Sequence, residues 1–262
     1  MDRARIKTFI LFLLAVVNLI FLALIGIDRI QTVRLISEAR TELIWALDGM
    51  GIHIDYEAIP DWTAQTVYVL SRDIERETEV ASGILGTPME SQHVGGGIYR
   101  WLGPYGEGHT RLSSFWFDLA DQGFSGPRAD TEELLRQMGL TAQFINTITH
   151  PNHVLLMYIL TIDDGLPVLG SQISFHFSGD YLQAFGGTML WGTRQGYTVG
   201  QQLDVTTALI ALGGHLQDHD ISRFYQVEIG YYLVDSRELR PVWVVTTDGG
   251  IFSVDRLSGE IR

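Results

Sequence analysis

The chain has 262 residues, 46% hydrophobic and 19% charged, which suits packed cores in one large or two to three small domains and excludes general disorder. A formal net charge of -13 excludes a phosphate-backbone partner, because nucleic-acid binding needs clustered Lys and Arg. Cysteine is absent and Lys7 is the only lysine, so disulfide scaffolds, thiolate metal sites, thiol nucleophiles and (beyond residue 7) Schiff-base chemistry are excluded.

The basic residues Arg3, Arg5 and Lys7 precede residues 8–27, which carry no charge and only Asn18 as a strongly polar side chain. As a helix this segment would reach about 30 Å, the thickness of a bilayer's hydrocarbon core. A cleaved signal peptide would have a shorter apolar part and small residues before the cut, and no Ala-x-Ala pattern occurs here. The segment therefore reads as an uncleaved signal-anchor, with residues 1–7 cytoplasmic and the chain from Asp28 exported. Beyond residue 27 there remain 15 basic and 30 acidic residues, a net charge of -15 that anionic headgroups repel. Asn18 at mid-span is either tolerated and idle or a hydrogen-bonding contact to another transmembrane helix.

Apolar residues at 30, 33, 36, 43, 44 and 47 predict that the helix continues outward and stops near Gly49–Gly51. Short strands are expected at 52–60 and 66–71, and a charged, exposed helix at 73–83. The Gly-rich stretch 95–108 separates runs 98–102 and 111–119, which read as a twisted hairpin. Gly123, Gly126 and Pro127 mark a boundary. A short helix over 130–139, with Asp130 and Glu133 as its start signal, leads into strands at 143–149, 154–162, 168–177 and 181–190. Residues 204–215 are helical, and strands at 224–233, 241–247 and 251–254 close the chain, with Asp248-Gly-Gly as a turn. The reading is α+β: a cytoplasmic tail 1–7, a transmembrane helix 8–27, and modules over 28–126, 127–199 and 200–262.

Catalytic motifs fail. No nucleophile elbow, phosphate loop or dinucleotide fingerprint occurs. His215 and His219 have i, i+4 spacing but lack further ligands and a general base, and His150 and His153 flank a turn. Asp163-Asp164-Gly165, Asp248 and Asp255 with Glu260 lack the order of a calcium loop and serve better as turns. Phe115-Trp116-Phe117 and Tyr231-Tyr232 are groove or core aromatics. No catalytic, cofactor or metal residue is expected, leaving Asn18 as the candidate contact.

Several stretches stand out: Met1-Asp-Arg-Ala-Arg-Ile-Lys-Thr with Val17-Asn-Leu-Ile-Phe-Leu behind it, Gly51-Ile-His-Ile-Asp, and Leu166-Pro-Val-Leu with Ile173-Ser-Phe. They resemble the YycI/YycH family of membrane-anchored regulators of the WalK (YycG) sensor histidine kinase, YycI more than YycH. The closing run is the most distinctive: Val227-Glu-Ile-Gly-Tyr-Tyr, Leu239-Arg-Pro-Val-Trp-Val-Val, Thr247-Asp-Gly-Gly and Asp255-Arg-Leu-Ser-Gly-Glu-Ile. This ending is also similar to PepSY-like modules. The resemblance implies a non-catalytic regulator whose partners are a WalK-like sensor kinase and a YycH-like protein, met through the bilayer helix and the exported domain. The alternative is an exported PepSY-like module that binds a peptide, peptidase or wall fragment, its helix only a tether.

Overall fold

A computed structural model describes Leu14, Val17, Asn18 and residues 34–120, 124–125, 128–151, 153–162 and 165–262. The expected span 8–27 otherwise lies outside them, as do the turn residues Gly123, Gly126, Pro127, Asp163 and Asp164. Leu14, Val17 and Asn18 are helical and exposed. Among the described residues no helix is long and apolar enough to cross a membrane.

Helix α1 occupies residues 34–49 and buries Leu43 and Leu47, one turn apart on one face. It ends where expected: Gly51 takes φ +83°, and the Ile52 N–H returns to the Leu47 carbonyl at 2.9 Å. The expected strand at 52–60 shrinks to β1 (His53–Ile54) and a 3-10 turn (Tyr56–Ala58). Strand β2 (Thr66–Ser71) and helix α2 (Ile74–Leu85) follow, with the Asp73 carboxylate accepting the Arg76 N–H at 3.0 Å as an N-cap. Helix α2 is not the exposed helix expected, for it buries Glu77, Val80, Ala81, Ile84 and Leu85.

The runs 98–102 and 111–119 are strands as expected, but a further strand lies between them, so they do not pair directly as a hairpin. Residues 90–119 fold into a meander of β3 (Glu90–Gly95), β4 (Ile98–Gly103), β5 (Gly106–Arg111) and β6 (Ser114–Leu119). Gly108 is required because the Phe117 ring lies on it: a Cβ there would sit 2.2 Å from Phe117 Cδ1. After β7 (Phe124–Ser125), helix α3 (Arg128–Gln137) starts two residues before the expected signal at Asp130. Strands β8 (Ala142–Thr149) and β9 (Val154–Ile162) match their expected segments. The run 168–177 splits into β10 (Leu166–Leu169) and β11 (Ile173–Ser178) at Gly170, whose φ is +76°. Strand β12 (Tyr181–Thr188) was expected; β13 (Thr193–Thr198) was not.

Helix α4 (Val205–Leu216) is capped by Asp204, whose side chain accepts the Thr207 N–H at 2.9 Å. Strands β14 (Arg223–Val234), β15 (Glu238–Thr247) and β16 (Gly250–Asp255) complete the described chain. A bulge between Phe224 and Gln226 shifts the register. It buries Phe224 and Val227 and leaves Tyr225 53% exposed.

The architecture is α+β, as expected. The described strands form one hydrogen-bonded network ordered β13-β2-β15-β14-β10-β9-β11-β12-β6-β5-β4-β3. Two cores lie along it. One joins α2 and α3 to the sheet around β6, β9, β11 and β12, with Phe117, Phe175 and Phe185 stacked across three strands. The other packs α1 and α4 on β14, β15 and β16 through Leu43, Leu47, Leu209, Leu212, Trp243 and Val245.

Candidate functional site

The two halves of the sheet join through a narrow seam. Strand β10 pairs parallel with β14 only at Val168–Tyr231 and Leu169–Tyr232, and antiparallel with β9 only at Leu166–Ile162 and Pro167–Thr161. Beside the seam, two short turns carry non-glycine residues in left-handed backbone. Leu112 has φ +50° between β5 and β6. Asp235 and Ser236 have φ +48° and +59° between β14 and β15. The Arg237 N–H closes the second turn on the Val234 carbonyl at 3.0 Å, the type I′ pattern that suits a right-twisted hairpin. The Met189 N–H ties the first turn down by donating to the Ser113 carbonyl at 2.7 Å.

Two clefts open around these turns and share Ser113 and Ser236. The smaller, about 450 Å³, runs between the end of β2, Leu112, Trp191 and Arg237. Its Arg72–Glu77 wall is already satisfied. Arg72 donates from Nε and Nη2 to the two Glu77 oxygens at 2.6 and 2.7 Å, and from Nη1 to the Gly97 carbonyl. Thr110 Oγ1 donates to Glu77 Oε2 at 2.6 Å and accepts from Trp101 Nε1 at 3.3 Å. With Glu77 only 1% exposed, this network is a structural tie between α2 and the meander.

The larger cleft, about 750 Å³, is more polar, with His109, Trp116, Thr188 and Asp235 along it. Trp116 lies on the wet face of the sheet, donating from Nε1 to Asp118 Oδ1 at 2.9 Å and meeting the His176 ring edge-on at 5.1 Å. Ser174 Oγ and His176 Nε2 are 3.2 Å apart. Burial, and secondarily the charge of His153, hold the His176 imidazole below its ordinary pKa, against the pull of Asp118.

Of the residues singled out in the sequence, Asn18 is far along the chain from these clefts, and the rest of the span that would frame it lies outside the described residues. His215 and His219 stack at 6.1 Å and His150 and His153 at 4.4 Å. Among the described residues no group of three or more His, Asp or Glu could hold a metal ion. Asp248 accepts from the Ser222 N–H and hydroxyl at 3.0 and 2.7 Å, and Asp255 Oδ1 from the Leu257 and Ser258 N–H groups at 2.7 and 3.0 Å. Both carboxylates hold turns. Phe115 and Phe117 are core, whereas Trp116 between them is half-buried.

Arg256 was not foreseen. Its fully buried guanidinium lies 4.4 Å over the Trp243 ring and gives one bond, Nη2 to the Thr63 carbonyl at 2.6 Å. Burial lowers its pKa to about 10, and Nε and Nη1 find no acceptor. A single arginine after a turn aspartate carries no sequence signal for burial.

No protein-family model matches the chain, and no curated protein matches it. Among solved structures it is similar to the Bacillus megaterium YpeB C-terminal domain, at a TM-score of 0.38 and 9% identity over 74% of this chain and 98% of that one.

Proposed function

We propose that this chain is a non-catalytic, membrane-anchored regulator of a WalK/YycG-type sensor histidine kinase. In this reading residues 8–27 cross the plasma membrane, the N-terminus is cytoplasmic, and the exported part is built of PepSY-like helix-on-sheet units. A kinase and a YycH-like protein are the partners. The observation that carries the reading is the seating of α1: this helix, a few residues beyond the apolar segment in sequence, buries Leu43 and Leu47 completely in the C-terminal core. A mere tether needs no such docking, whereas a helix locked into a core passes displacement or rotation from bilayer to domain. Its outer face leaves Leu35 65% and Trp45 72% exposed, available to a second helix.

The test is a coupled pair of chains. Replacing residues 1–27 with an unrelated anchor should abolish kinase-dependent reporter output and co-purification of the kinase, and a flexible Gly-Ser insertion after residue 34 should uncouple the two without lowering protein levels. If both chains regulate the kinase like the natural one, the reading fails. The second reading, an exported binding module, draws on the two clefts at the seam; there the anchor-swapped chain keeps full activity.

A further inference from the structure

Trp116 is set as a half-buried platform on the wet face of the sheet while its neighbours Phe115 and Phe117 turn into the core. Gly186 forms its floor, for a Cβ at that position would lie 2.4 Å from Trp116 Cε3. The bond to Asp118 and the edge of His176 fix the remaining freedom of the ring. The indole is therefore oriented before any ligand arrives. Around it, along the same cleft, stand groups with no side-chain hydrogen-bond partner among the described residues: the Asp235 carboxylate, the His109 ring and the Ser113 and Ser236 hydroxyls. His109 is the cross-strand neighbour of Trp116 in the β5–β6 register.

Among the described residues no Lys or Arg lines this cleft, so an anionic ligand finds no counter-charge from them and meets a protein of net charge -13. An extended peptide has no strand edge to join, because β6 is paired on one side with β5 and on the other with β12. An aliphatic ligand would bury the Asp235 carboxylate unpaired. A flat aromatic face beside one carboxylate and several hydroxyls suits a molecule with an apolar C–H face and a rim of hydroxyl groups. We infer that the larger cleft binds an uncharged oligosaccharide, one pyranose ring stacked on Trp116 and adjacent hydroxyls donating to Asp235. The inference is independent of whether the chain regulates a kinase.

The full-length protein in lipid nanodiscs, labelled with 15N-tryptophan, is titrated with cellotriose, with tri-N-acetylchitotriose and, as the charged control, with trigalacturonate. The Trp116 indole resonance, assigned by its loss in Trp116→Phe, should shift saturably with a neutral trisaccharide and not with the charged one. Trp116→Ala should abolish binding. Asp235→Asn, which keeps a residue at home in left-handed backbone, should weaken it about tenfold. The inference is overturned if neither neutral sugar moves that resonance, if trigalacturonate binds as well, or if Asp235→Asn binds like the natural chain.

Discussion

Leu47 of α1 sits directly on the backbone of α4 at Gly213, where a Cβ would come 2.9 Å from Leu47 Cδ2 and 3.0 Å from Met50 Sδ. The close approach is what seats the outgoing helix in the C-terminal core. A large side chain at 213 must push Leu47 and Met50 aside. Gly213→Leu is therefore expected to destabilise the protein by about 2–3 kcal/mol. Gly214→Ala, where nothing lies within 4 Å, should stabilise it by up to about 1 kcal/mol through helix propensity alone. Chemical denaturation of the two variants checks the pair; equal effects would mean that α1 is not seated on α4.

Glu77 is the centre of a buried network, taking two bonds from Arg72 and one from Thr110. Removing its charge leaves the Arg72 guanidinium uncompensated. Glu77→Leu should cost about 3–5 kcal/mol, and Arg72→Met added to it should recover part of that loss. A double-mutant cycle reads the coupling. Strictly additive losses would show that the pair does not act as a unit.

The β14–β15 turn keeps Ser236 at φ +59°, a conformation that glycine adopts without steric cost. Ser236→Gly should raise stability by about 0.5–1 kcal/mol. The gain would appear as a shift of the denaturation midpoint with an unchanged slope. A loss of stability instead would mean that the serine hydroxyl contributes more than the backbone conformation costs.

His176 has its folded-state pKa lowered from the ordinary 6.5, chiefly by burial. The unfolded chain then binds more protons than the folded one as pH falls through the ordinary value toward the lowered one. Stability tied to this residue is fully present above pH 6.5 and declines below it. Thermal unfolding between about pH 7.5 and about pH 5 should show that decline, and His176→Gln should flatten it. An identical slope in the variant would assign the decline to other groups.

The regular elements were legible where short-range signals are strong. Asp204 caps α4 and Gly51 ends α1, and both act through groups two to five residues away. Of the meander at 90–119, the runs that became β4 and β6 were legible as strands, whereas β3 and β5 were not. Its glycines read as separating two strand runs, but Gly108 lies within β5 and is needed because Phe117 of the next strand packs on it. The bulge beside Tyr225 was not legible either, since one unpaired residue reverses the alternation that a sequence pattern extrapolates.

The sequence by itself determined the four described helices and most of the described strands, the charge division between a basic N-terminus and an acidic remainder, and the exclusion of thiol and lysine chemistry beyond residue 7. Composition and local hydrogen bonding decide those properties. The tertiary structure alone decided that α1 docks onto α4, that Glu77 and Arg256 are buried, and that Trp116 and Asp235, more than a hundred residues apart, line one cleft. Those relations depend on which strands become neighbours across the seam. That is set by long-range packing of apolar faces, and no residue pattern along the chain encodes it locally.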